Sequence, residues 1–112
     1  MNLNNLLQGY DCKLINGDKN KVVSGIEYNS KEVKENSLFV AVKGEKSDGH
    51  DYISDAVNRG AGVIVAEDTS KIQNTEAVTV VKVKDTLDAL AYISSKFYGE
   101  PTKDITVTAV TG

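Results

Sequence analysis

Two short runs built wholly from apolar residues, Leu38–Val42 and Val63–Ala66, constrain this chain most. Neither alternates with polar residues, as a strand with one wet face would. An uninterrupted apolar run of this length fits a strand covered on both faces. Between them, Tyr52–Arg59 reads as a helix, with Ile53, Ala56 and Val57 as its apolar stripe and Gly60 as the residue that ends it. Strand, helix, strand in this order signals a parallel arrangement wrapped by helices.

The flanking segments extend the pattern. Leu3, Leu6 and Leu7 recur at helical spacing, which predicts a short helix over Asn2–Leu7. Asp11–Ile15 is an expected edge strand, followed by the turn sequence Asn16-Gly17-Asp18. Val22–Tyr28, interrupted by Gly25, and Thr79–Val83 read as further strands, and Glu67–Gln73 as a polar loop. Asp85 is placed to N-cap a long helix, Thr86–Tyr98, with Leu87, Leu90, Ala91, Ser94, Phe97 and Tyr98 on its inner side. Gly99 and Pro101 stop that helix, and a last strand is expected at Ile105–Val110. The fold class is therefore α/β, with a mixed, partly parallel sheet flanked by helices.

Composition excludes several functions. Thirteen basic residues face sixteen acidic ones, a net charge of −3, so the chain lacks the basic excess of a nucleic-acid-binding domain. Its first residues show neither the basic nor the apolar region of a secretion signal, and no apolar run approaches the ~18 residues that cross a bilayer. A cytoplasmic protein is expected. The single cysteine, Cys12, has no partner for an internal disulfide, which suits a reducing compartment. Its neighbours Asp11 and Lys13 give no reason for a depressed pKa, so it reads as a small, partly buried side chain.

The polar residues with chemical promise lie between Tyr28 and Asp51. Ser30 and Lys31 follow one strand, and the loop Gly44–Gly49 follows the next and leads into a helix. Polar groups gathered at strand ends and helix starts suit an anionic ligand that also accepts and donates hydrogen bonds. No catalytic constellation stands out. His50 is the only histidine and has no partners for a metal-binding set, so it reads as a structural hydrogen-bonding group beside Asp48, a candidate N-cap. The final Val-Thr-Gly has the form in which a phosphate-binding loop begins, with only its first glycine, Gly112, present.

Together these segments resemble the N-terminal, UDP-binding domain of the Mur ligases. The family pattern runs approximately D-S-R-x-V-x-x-G-x-L-F-V-A-x-x-G-x-x-x-D-G-H-x-F-I. This chain has Asn29-Ser30-Lys31-Glu32-Val33, then Ser37-Leu38-Phe39-Val40-Ala41, Gly44, and Asp48-Gly49-His50-Asp51-Tyr52-Ile53. Val83–Pro101 resembles the corresponding helix of the member that adds the third amino acid to the muramyl peptide, and the last three residues resemble the start of V-T-G-T-N-G-K-T-T.

The resemblance implies a substrate-recognition domain over residues 1–101, with residues 102–112 opening a central ATP-binding domain. The parent would be an ATP-dependent, amide-forming ligase of peptidoglycan synthesis that uses ATP and Mg²⁺ and proceeds through an acyl phosphate. This chain alone would lack the ATP site and hold neither catalytic residue nor metal. Its expected partners are UDP-MurNAc-L-Ala-D-Glu and the remaining domains of the same chain. Ser30 matches the serine that hydrogen-bonds the UDP portion, at the surface. Tyr28 stands near the uracil, where it either packs on the base or covers the core. Glu45, Lys46 and Ser47 occupy the loop that approaches the diphosphate, and Gly112 the start of the ATP-binding loop. Asn29 stands where Asp is frequent and Lys31 where Arg is frequent, so any bidentate bracing by that arginine is replaced. Two alternatives remain open: the equivalent domain of the D-Ala-D-Ala-adding ligase, and a non-catalytic α/β interaction module. Which amino acid a parent enzyme adds is not written in these residues.

Overall fold

The structure is a computed structural model that describes residues 2–42, 49–69, 72 and 78–98. At its centre, β3 (Ser37–Val40) and β4 (Val63–Ala66) are buried at every residue, as their sequences require. They pair in parallel, Leu38 opposite Val63 and Val40 opposite Val65. β4 continues in parallel to β5 (Thr79–Lys82), and β3 to β2 (Gly25–Glu27). β1 (Lys13–Asn16) joins β5 antiparallel at the far edge, giving a five-stranded sheet ordered β1-β5-β4-β3-β2. The mixed, mostly parallel α/β sheet is the fold expected.

The two-residue period of the strands sorts one sheet into two cores. Leu38, Val40, Val63, Val65 and Val81 pack with Leu3 and Leu6 of α1 (Leu3–Leu7) and with Ala89 and Ile93 of α3 (Thr86–Tyr98). Phe39, Ala41, Ile64, Ala66 and Val80 pack with Ile53 and Ala56 of α2 (Ile53–Asn58) and with Val33. Full burial of side chains this size stabilises by ~1.5–3 kcal/mol each, before the opposing loss of conformational freedom.

Caps decide where the helices sit. Asn2 accepts the N–H of Asn5 at 3.1 Å and starts α1. Asp85 Oδ1 accepts the N–H groups of Leu87 and Asp88 at 3.0 and 3.2 Å, the expected N-cap of α3. Glu67, just beyond β4, adds a second anchor, its Oε2 accepting from Thr86 N at 2.9 Å and from Thr86 Oγ1 at 3.0 Å. Gly60 follows α2 with φ 110°, and a Cβ there would lie 2.9 Å from Glu35 Cα, so glycine is required on both counts.

Several expectations need correction. The inner side of α3 is formed by Thr86, Ala89 and Ile93, with Leu90 and Phe97 partly buried against the core. Leu87 and Tyr98 are exposed at 63% and 68%, and Ala91 is also exposed. Residues 87, 91, 94 and 98 form their own helical row, and it is the row one step round, 86–89–93, that faces the sheet. The strand expected over Val22–Tyr28 is only Gly25–Glu27, because Val22 bridges to Asn2 instead of joining β3. In β1 the register shifts between Leu14 and Asn16, which leaves Ile15 as an exposed bulge residue. The helix expected from Tyr52 begins at Ile53, after a 3-10 turn over Gly49–Tyr52.

Cys12 is half-buried, and burial, then the charge of Asp11, pushes its thiol above the ordinary range. That matches the packing role read for it. Gly99, Pro101, the strand expected at Ile105–Val110 and the boundary after residue 101 lie outside the described residues.

Candidate functional site

Because β2 and β3 run parallel, the segments that leave them emerge at the same rim of the sheet. They enclose a cleft of about 430 Å³ lined, among the described residues, by Tyr28, Asn29, Ser30, Lys31, Val42, Gly49 and Tyr52. Crevices outside the carboxyl ends of parallel strands are where α/β sheets commonly take ligands.

The wall after β2 is a 3-10 turn, Ser30–Glu32, shaped by its own sequence. Asn29 stays extended at φ −115° and its side chain accepts the N–H of Lys31 at 3.0 Å. Asn caps this turn as well as the Asp of the family pattern would, since both offer a side-chain oxygen. Val33 then drops into the core and holds the turn to the sheet.

Ser30 is 5% exposed, more buried than its expected surface position. α2 packs against this turn and brings the Asp55 carboxyl near the Ser30 hydroxyl. Asp55 Oδ2 receives Nε of Arg59 at 3.0 Å, one helical turn on. The Ser30 hydroxyl first, and the Arg59 guanidinium second, hold the Asp55 carboxyl below its ordinary value of 3.8.

The opposite wall comes from the end of β3 and the turn leading to α2. The N–H of Gly49 donates to Val42 O at 2.8 Å and closes the base of the intervening loop. A Cβ on Gly49 would lie 2.6 Å from Val42 N and 2.8 Å from Ala41 C, so only glycine fits. His50 is buried, and its Nε2 accepts the N–H groups of Glu67 and Asp68, both at 3.1 Å. It therefore serves the structural role read for it, with backbone beyond β4 as its partner. Tyr28 and Tyr52 present rings exposed at 66% and 47%. Of the two roles open to Tyr28, covering the core does not fit that exposure. Lys31 is the one charged side chain among the described lining residues.

The structure thus brings Tyr28 and Ser30 into one cleft. Glu45, Lys46, Ser47, the Asp48 cap and Gly112 lie outside the described residues. Sequence reasoning missed Tyr52, Val42 and Asp55. Asp55 and Arg59 were legible as an i, i+4 pair on a helix. Nothing local ties Asp55 to Ser30, twenty-five residues earlier. Among the described residues, no three His, Cys, Asp or Glu side chains gather closely enough to hold a metal ion, and no helix is long and apolar enough to cross a membrane.

Known proteins are similar to this chain in sequence and in fold. Residues 22–98 match the family described as "Mur ligase family, catalytic domain". The UDP-N-acetylmuramoyl-L-alanyl-D-glutamate–2,6-diaminopimelate ligase 2 of Clostridium acetobutylicum is 44% identical over 114 residues, a match covering 100% of this chain and 23% of that protein. The corresponding ligase of Clostridium botulinum is 42% identical over 113 residues, with the same coverage of 100% and 23%. The chain therefore spans under a quarter of the length of these curated relatives. Among solved structures, MurF from Acinetobacter baumannii superposes with a TM-score of 0.72 over 86% of this chain and 20% of that one, at 21% identity, a likeness of fold. MurF ligase from Thermotoga maritima in complex with ADP is 42% identical over 62% of this chain and 15% of that one, with a TM-score of 0.53. A family match over more than half the chain, on a sheet with the same architecture, establishes that the chain belongs to the Mur ligase family.

Proposed function

We propose that this chain holds the uridine end of UDP-MurNAc-L-Ala-D-Glu for a cytoplasmic ligase that adds the third amino acid of the peptidoglycan peptide. The observation that carries this reading is the cleft at the ends of β2 and β3, where Ser30, Lys31 and two exposed tyrosines converge. A flat base suits the aromatic rings, a hydroxyl suits its polar edge, and an ammonium suits a diphosphate. Glu45, Lys46 and Ser47 complete the proposed diphosphate side. Full-length coverage by diaminopimelate ligases at 42–44% identity supports the third-residue enzyme over its neighbour in the pathway. It also makes diaminopimelate the proposed amino acid.

ATP and Mg²⁺ would supply the activating chemistry of the whole ligase. We assign them to the part of such an enzyme that corresponds to the unmatched remainder of the relatives, with Gly112 at its threshold. The role of residues 1–101 is to bind and orient, without a catalytic group of its own.

A second reading, the domain of a D-Ala-D-Ala-adding ligase, is favoured by the likeness to MurF of Thermotoga maritima. It shares the UDP site, so the cleft has the same role in both. Amide NMR mapping with UDP-MurNAc-dipeptide tests the proposal. Perturbation of Tyr28–Lys31, Gly49 and Tyr52 is expected. Shifts confined to other surfaces, or none at millimolar ligand, would leave the interaction-module alternative standing in its place.

A further inference from the structure

We propose that Lys13 and Lys82, with Lys84 beside them, form a second binding site at the carboxyl ends of β4 and β5, one that takes a compact polyanion of the diphosphate class. The inference is independent of the uridine-binding role, because the site shares no lining residue with the cleft at β2 and β3.

Lys13 of the edge strand β1 stands directly opposite Lys82 of β5. Side chains directly opposite one another in an antiparallel pair lie on one face, ~5 Å apart at Cβ, and two like charges there repel. The next pair along, Leu14 and Val81, points to the other face and into the core. Lys82 shares the face of Val80, which packs with Ile53 and Ala56 of α2, but it lies beyond that cover and is exposed, as is Lys13.

A cleft of about 520 Å³ opens here, and its charged lining is Asp11, Lys13, Glu67, Lys82 and Lys84. Both acids are engaged. Asp11 pairs with Lys84 at 3.4 Å, and the Glu67 carboxylate accepts from Thr86 N and Oγ1 at the start of α3. Lys13 and Lys82 are left, among the described residues, without an ion pair. Lysine on an edge strand deters pairing with another chain, and Lys13 fills that role by itself. Lys82 has no such reason to be charged, since β5 is paired on both sides. An anion held between the two ammonium groups turns their repulsion into attraction for a ligand. A diphosphate carries several charged oxygens and can meet both at once, and lysine binds phosphate as a point charge. The position, outside the carboxyl ends of parallel strands, is one where α/β sheets commonly take ligands.

The test titrates the 112-residue chain with inorganic pyrophosphate and, separately, UDP, against sodium chloride of matched ionic strength, reading amide NMR shifts and thermal melts. Pyrophosphate is expected to give saturable shifts at Lys13, Lys82 and Lys84 and to raise the melting temperature more than chloride does. UDP shifting the same residues makes the source a nucleotide, and pyrophosphate alone shifting them makes it a free anion; either result supports the site. Lys82→Gln is expected to melt above the wild type at low salt without ligand, because the repulsion is gone, and to bind pyrophosphate about tenfold more weakly. Lys13→Gln should match it on both counts. Lysines that serve only solubility would respond to pyrophosphate as to chloride. That response, either variant keeping wild-type affinity, or no gain in melting temperature from either at low salt overturns the proposal.

Discussion

His50 Nε2 accepts the backbone N–H of Glu67 at 3.1 Å, so the turn that follows β3 is fastened to the chain leaving β4. The same nitrogen takes the N–H of Asp68. A ring nitrogen that accepts two backbone donors must carry its lone pair, which assigns His50 a supporting part beneath the cleft wall. The neighbouring Glu67 carboxylate caps α3. One histidine and one glutamate thus connect the wall at Gly49 to the start of the longest helix.

Replacing His50 by Ala is expected to lower stability by about 2–3 kcal/mol, because two backbone donors lose their acceptor and a buried ring is removed. Denaturant unfolding measures the loss. UDP affinity should fall as well, since Gly49 precedes His50 directly.

Gly49→Ala is expected to cost about 1–3 kcal/mol, since the added carbon meets backbone at 2.6 Å and neither segment can swing aside like a side chain. The pinch between Gly49 and Val42 should open, and the amide shifts of Val42 and Tyr52 should move without ligand. A stable variant with an unchanged spectrum would show that the loop base has room to spare.

Tyr28→Ala and Tyr52→Ala should each weaken UDP binding by about 1–3 kcal/mol if the base stacks on the ring. Phe at either position should retain most of the affinity, because the stacking surface is the ring. Calorimetry on the four variants separates ring from hydroxyl. Both tyrosines are exposed, so melting temperatures should stay close to that of the wild type.

Tyr10 gives a prediction about alkaline pH. Its hydroxyl donates to Asp88 Oδ2 at 2.8 Å, and its ring lies 4.7 Å from that of Tyr92. Burial first, then the bond to Asp88, raise its pKa from 10.0 to about 12. A phenol whose folded value is raised favours folding below its unfolded value, and that contribution is lost as pH rises from 10.0 through about 12. Tyr10→Phe should be less stable than the wild type by about 1 kcal/mol at neutral pH. The gap should close across that alkaline window, as followed by thermal melts. A gap that widens there would contradict the sign.

The secondary structure was largely legible because it depends on local patterns. α3 begins at Thr86 as its cap Asp85 predicts, and β4 spans the apolar run Val63–Ala66. β1 was recognised as an edge strand, though its bulge at Ile15 was not. The sharper error lay in the face of α3, where residue type favoured Leu87 and Tyr98 and the sheet selected Ala89 and Ile93. Helical periodicity fixes the rows of a helix, but the partner surface chooses which row is buried.

The candidate site divides in the same way. Neighbouring residues already encode an α/β chain with Tyr28 and Ser30 beyond one strand and a glycine-bounded turn beyond the next, because strand ends and turns are local features. Only the packing of distant segments shows that Tyr52 joins them, that Ser30 is buried rather than open, and that α2 brings Asp55 to its side. Those relations depend on two parallel strands lying side by side and on α2 packing across their ends, contacts between segments far apart in sequence that no local pattern encodes.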